Sequence, residues 1–249
     1  MPLKIILLVL ALTQAGAPLL LFFDGFDKGA GRPPTPIVPA NYAFTIWGII
    51  YGLGVVYSGA QFFSTRVSPL LQRIFLPASC LFLLSTVWLL FARFGPFWGT
   101  VPTILAMLGL AVYALLAVSP DDDESRAFAD WLALPLFGLY AGWLTIAVFA
   151  NFTEIAVDLG FPFWGLSLPA WTMLALATGT VLAACVASAS RGNASYAAAI
   201  VWALIAIAVA NSRECRWTIV TVSLVGAAIV TGWTYAARRR AARLPAAAA

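Results

Sequence analysis

The amino-acid sequence predicts an all-α fold, a polytopic membrane helix bundle of about eight transmembrane helices. Two observations carry this. The chain of 249 residues is 62% apolar and only 10% charged, whereas an ordinary soluble domain is about 25% charged. The charges are also spaced so that eight stretches of at least 19 residues hold no Asp, Glu, Lys or Arg. A charge at the bilayer centre costs about 2.5 to 3.5 kcal/mol, so charges mark loops and the stretches between them mark spans.

A hydrocarbon core of about 30 Å takes roughly 20 helical residues. Spans are therefore predicted near 4–23, 41–63, 74–92, 98–118, 131–151, 167–189, 194–212 and 217–237. The fourth begins among Gly95, Pro96 and Pro102, and the seventh is rich in mildly apolar alanine; without one of them the count is seven. The first segment also has leader-like features in Lys4, an apolar run and the small residues Ala15, Gly16 and Ala17. Pro18 directly after that site argues against cleavage, and Leu19 to Phe23 lengthen the run to a full span, so it reads as a retained helix.

Lys and Arg bias sets orientation. With a cytoplasmic N-terminus, nine basic residues (Lys4, Arg66, Arg73, Arg126, Arg191, Arg238, Arg239, Arg240 and Arg243) lie inside and five outside, so both termini are expected in the cytoplasm of a multi-pass cell-membrane protein. The basic run after the last span reads as an anchor at an anionic leaflet rather than a nucleic-acid patch. Cys80 and Cys185 fall inside spans and Cys215 stands alone in a short loop, which gives no disulfide framework and makes buried small hydrophobes the default reading.

The chain has no histidine, which removes His-ligated zinc or haem and Ser-His-Asp chemistry. Lys4 and Lys28 are its only lysines, so no late helix offers a Schiff base. No carboxylate falls at mid-depth of a span, which disfavours an ion-coupled carrier. The acidic run Asp121, Asp122, Asp123 and Glu124 reads as a solvated loop, because no further carboxylate or glycine completes a calcium loop. No metal site and no catalytic residue is expected.

A proline-rich loop, 33–40, leads into Asn41, Tyr42, Phe44, Trp47 and Tyr51 on the second helix, a rigid entry followed by an aromatic face. On the fifth helix, Tyr140, Trp143, Ala147 and Asn151 recur at offsets of three and four residues and share one side. Two aromatics, a small gap and one amide make a surface suited to a flat apolar ligand. The bland alternative for tryptophan is the interfacial belt; it accounts for Trp98, Trp131, Trp164 and Trp217 at span ends, but not for Trp47, Trp88, Trp143 and Trp202 inside spans.

These motifs resemble the TspO family of tryptophan-rich sensory proteins. The fifth helix matches its Tyr-x-x-Trp-x-x-x-Ala-x-x-x-Asn pattern at full spacing, with Leu139 where the family has proline. On the second helix Tyr42 stands where the family usually has tryptophan. On the third, Ser85, Thr86, Val87 and Trp88 replace its Asn-Trp-x-Trp region. The resemblance covers residues 1–155 as a five-helix domain; residues 156–249 are then three additional helices with the basic tail, as in longer relatives.

The resemblance implies a membrane binding or sensory protein for a planar hydrophobic ligand that is tetrapyrrole- or sterol-like. The pocket would lie among helices one to five beneath the proline-rich loop. A tetrapyrrole would be held non-covalently by stacking, and no cofactor is required. The alternatives are a small-molecule transporter that uses the extra helices and, behind it, a membrane enzyme acting on a lipid or bound tetrapyrrole. Membrane lipid is an expected partner. Gly48 with Gly52, and Gly138 with Gly142, are spaced as Gly-x-x-x-Gly, which serves close packing first and a homodimer face second. The charge bias makes one prediction: reporter fusions after Ala249 and within residues 121–124 should both report from the cytoplasm, and an external signal at either would overturn the topology.

Overall fold

In a computed structural model, which describes residues 2–21, 34–65, 67–118 and 128–243, the charge-free stretches fold as α-helices. They are α1 (Pro2–Leu21), α2 (Ile46–Phe63), α3 (Pro69–Phe94), α4 (Thr100–Val118), α5 (Phe128–Asp158), α6 (Leu168–Ala189), α7 (Ala194–Arg213) and α8 (Trp217–Arg243). Short 3-10 turns at Asn41–Thr45 and Phe97–Gly99 lead into α2 and α4. Among the described residues, eight helical segments are long and apolar enough to cross a membrane. Residues 31–33, the acidic run 121–124 and Ala249 lie outside the described residues.

Capping explains where several ends fall. Ser68 Oγ accepts from Leu71 N at 3.0 Å with Pro69 in the first turn, so α3 starts five residues before its apolar stretch. Asn193 Oδ1 accepts from Tyr196 N at 2.9 Å and opens α7. Between α6 and α7, Gly192 adopts φ +75°, and a Cβ there would sit 2.6 Å from Thr234 O and Arg238 N. That position needs glycine both for its backbone and for the close passage of α8.

The helices pack as two rings that share α5. One runs α1, α2, α5, α4, α3 and closes back on α1; the other runs α5, α7, α8, α6 and closes more lightly on α5. Burial follows: 61% of the apolar window of α5 lies inside the chain, against 28% for α1, whose outer face is left to lipid. At 31 residues α5 is also longer than a span, and its last turns carry Glu154 out of the apolar zone.

The α5–α7 crossing explains the alanines of α7. A Cβ on Gly138 would lie 2.6 Å from Asn193 Oδ1, and one on Gly142 would lie 2.9 Å from Ala199 Cβ and run into the Tyr196 carbonyl. Small residues on both helices let the backbones approach, the usual source of helix association where lipid is as apolar as leucine. At Gly138 and Gly142 the close packing expected first of such a pair is what α7 of the same chain provides. Gly48 and Gly52 have nothing within 4 Å of a built Cβ.

Two further expectations change. Cys185 and Cys215 are exposed rather than buried, and Cys80 is half-buried. Asp130, read as a loop marker, is buried in the first turn of α5, where its carboxylate accepts from Gln61 Nε2 at 3.0 Å and Ser68 Oγ at 2.9 Å. Lys4 is buried at the same end and donates to Ser64 O, the carbonyl that caps α2, at 2.7 Å. A cation at a helix C-terminus is favoured by the exposed carbonyls there.

Gly142→Ala should destabilise the protein by about 1 to 3 kcal/mol through overpacking. Gly52→Ala should instead be neutral or stabilising by about 0.5 to 1 kcal/mol. Unfolding in detergent or bicelles measures both, and equal effects would contradict the crossing.

Candidate ligand-binding site

The aromatic residues of the second and fifth spans converge. Trp47 stacks on Tyr51, one turn on, with centroids 5.2 Å apart, and its ring meets Tyr140 and Trp143 edge to face at 5.7 and 6.2 Å. Phe44 adds an edge contact to Trp143 at 5.7 Å, and Tyr140 stacks on Phe82 of α3 at 6.5 Å. The amphipathic spacing is the cause: Phe44, Trp47 and Tyr51 lie on one side of the chain entering α2, opposite Tyr140 and Trp143 on α5. Edge-to-face and offset stacking are the arrangements that ring quadrupoles favour.

Beneath the rings lies a buried polar set drawn from four helices. Tyr51 Oη and Ser85 Oγ share a hydrogen bond at 2.9 Å, and Tyr140 Oη donates to Gln14 Oε1 at 3.0 Å. Gln14 is fully buried and its Nε2 has no hydrogen-bond partner among the described residues. A buried donor without a partner costs free energy, and this one lies against α2, where a Cβ on Gly54 would come within 2.9 Å of it.

Not every expected site residue joins this cluster. Asn151 is buried two turns beyond Trp143, but its Nδ2 donates to Thr100 Oγ1 of α4 at 3.0 Å, so it faces the other side of the first ring. Ala147 is half-buried and packs against the core, Trp88 lies one turn beyond Ser85 on α3, and Asn41 is exposed at the mouth of α2. Trp143 is only 3% exposed, because Phe44 and Trp47 cover it: the chain's own rings occupy the wall expected to receive a ligand.

Sequence reasoning missed the part played by α7. Trp202 meets Tyr42 edge to face at 5.3 Å, and its Nε1 donates to Ala43 O at 3.0 Å. The loop before α2 is pinned by Ala40 N to Ala206 O at 3.1 Å, Asn211 Nδ2 to Pro36 O at 2.7 Å and Thr35 N to Glu154 Oε1 at 3.0 Å. The one available signal was that Trp202 falls inside a span, where an interfacial role does not explain it.

The family model described as TSPO-like protein matches residues 4–236. The chain belongs to the TSPO-like family. The match runs through α8, so the TSPO-like pattern extends over the last three helices as well as the first five. No curated protein matches the chain, and no solved structure does. For this TSPO-like protein, membership points to a membrane sensory or binding role, and the aromatic cluster with its polar floor is the arrangement that can serve one.

Two apolar cavities lie elsewhere on the TSPO-like chain. One of about 480 Å³ is bordered by Trp98, Pro102, Phe152 and Leu159, and one of about 300 Å³ by Leu105, Gly109, Thr145 and Leu182; none of the expected site residues lines either.

Tyr140→Phe and Gln14→Leu should each destabilise the bundle, and together by less than the sum. The coupling expected for a membrane-buried hydrogen bond is about 0.6 to 1.7 kcal/mol. Additive losses in a double-mutant cycle would show that the bond contributes nothing.

Proposed function

We propose that the protein is a membrane receptor for a planar hydrophobic ligand, tetrapyrrole- or sterol-like, that binds against Trp47 and Trp143. The observation that carries this reading is the meeting of Phe44, Trp47, Tyr140 and Trp143, residues far apart in the sequence, over a buried Gln14 amide with an unused donor. Apolar walls provide most of the affinity in such a site and a few polar groups fix orientation.

Entry lies at the mouth of α2, where Tyr42 and Phe44 are 40% and 37% exposed. A ligand reaches Trp143 when the Phe44 and Trp47 rings swing off it, so the chain's rings hold the wall until a flat molecule replaces them. With no histidine in the sequence, a porphyrin is bound by stacking and by its carboxylates or pyrrole nitrogens, not through an axial imidazole.

Titration of the purified protein with protoporphyrin IX, followed by quenching of tryptophan fluorescence, tests this. Trp143→Ala should weaken binding by about two- to twelvefold, the equivalent of stacking beyond buried area. Trp217→Ala, exposed at the start of α8, should change nothing. Parental affinity in Trp143→Ala would remove the site assignment.

A further inference from the structure

Asp130 is a buried carboxylate that the aromatic site leaves unused, and its bonding is lopsided. Both of its hydrogen bonds go to one oxygen: Gln61 Nε2 and Ser68 Oγ donate to Oδ1 at 3.0 and 2.9 Å, while Oδ2 accepts from no group among the described residues. No Lys or Arg among the described residues forms an ion pair with it, and Lys4, at the same end of the first ring, donates to Ser64 O instead. Asp130 is nevertheless only 5% exposed. A charge held out of water without a counter-charge is costly, and in a membrane protein such a residue is by default a functional one.

A second unused oxygen accompanies the first. Tyr57 stands one turn before Gln61 on the same face of α2 and is fully buried. Its ring meets Phe137 of α5 edge to face at 6.0 Å, and Phe137 lies two turns after Asp130, so Tyr57 occupies the same α2–α5 seam. The Gln61 side chain and the Asp130 carboxylate are the polar groups near enough to act on its hydroxyl, yet Oη makes a hydrogen bond with neither.

A structural tie accounts for only part of this arrangement. Joining α2, α3 and α5 takes Oδ1, which Gln61 and Ser68 already fill. It gives no reason for an open Oδ2, nor for a phenol where phenylalanine would pack as well. A buried hydroxyl that bonds to nothing costs free energy, so its presence calls for a partner.

The chemistry of the two oxygens fixes the class of that partner. A carboxylate and a neutral hydroxyl are hard oxygen ligands, which suit a hard metal cation. One carboxylate offsets one positive charge. No group of three or more His, Cys, Asp or Glu that could hold a metal ion occurs among the described residues, so a divalent ion would stay under-neutralised. We propose that Asp130 Oδ2 and Tyr57 Oη bind a monovalent metal cation, sodium or potassium, with Gln61 and Ser68 fixing the carboxylate through Oδ1. The remaining exposure of Asp130 lets the ion enter and keep part of its water shell. The site lies at the end of the first ring that carries the N-terminus and does not depend on the ligand reading given above.

The full-length protein in dodecyl maltoside, at fixed pH and ionic strength, is melted in sodium chloride, potassium chloride or N-methyl-D-glucamine chloride. With a dissociation constant of about 10 mM, about 100 mM of the bound cation should raise the melting temperature of the parent by about 3 to 6 °C over N-methyl-D-glucamine. Asp130→Asn, which keeps an acceptor for Gln61 and Ser68, should lose the rise altogether. Tyr57→Phe should melt at or above the parent in N-methyl-D-glucamine and need about tenfold more sodium or potassium for the same rise. This variant separates the readings, because a hydroxyl with a purely structural role would leave the cation dependence untouched. A parent that melts alike in all three salts, a rise that survives in Asp130→Asn, or parental cation dependence in Tyr57→Phe would each overturn the proposal.

Discussion

The structure depends on the close passage of α5 and α7 at Gly138 and Gly142. In lipid no hydrophobic drive pushes helices together, so association rests on how near the backbones come and how many atoms then touch. The glycines on α5 and the small side chains of α7 set that distance, and the Tyr196 carbonyl occupies space that any side chain at residue 142 would need. Because α5 belongs to both rings, this one crossing places the aromatic face of α5 against α2 and the second ring against the first. The polar floor follows: Tyr140 reaches Gln14 only with α5 seated at that depth and rotation.

Much of the architecture was legible because the cost of a charge in hydrocarbon is large beside any other local preference. All the predicted spans recur as helices, including the alanine-rich α7, whose small side chains proved to be its packing surface. Differences arise where polarity and secondary structure part company. Ser68 and Pro69 start α3 outside its apolar stretch, and α5 continues through Glu154 because helical hydrogen bonding does not end where the membrane does. Asp130 was misread for a related reason: a charge at a span end looks solvated in sequence, yet Gln61 and Ser68 enclose it.

The site was legible in its parts and not in its assembly. Helical spacing put Tyr140 and Trp143 on one face, and the structure lays Trp47 against both. Spacing carries no information about depth or the neighbour at each turn, so it assigned Asn151 to the same wall although its partner is Thr100 on α4. The contribution of α7 was out of reach for a stronger reason. Trp202 to Ala43 and Asn211 to Pro36 join residues on opposite sides of the chain's middle, and no local pattern records such a pairing.

The pinned loop bears on how such a chain can be divided. Thr35 hangs from the end of α5, while Pro36 and Ala40 hang from α7, so the path by which the backbone enters α2 is held by helices made long after it. The first five helices close a ring among themselves, yet the entrance to that ring is fastened from outside it. A shortened gene product ending before α7 would lose the fastening of its doorway, so α7 is a structural condition of the first five helices and not a detachable appendix. During synthesis, too, the aromatic mouth can take its final form only after most of the chain has entered the membrane.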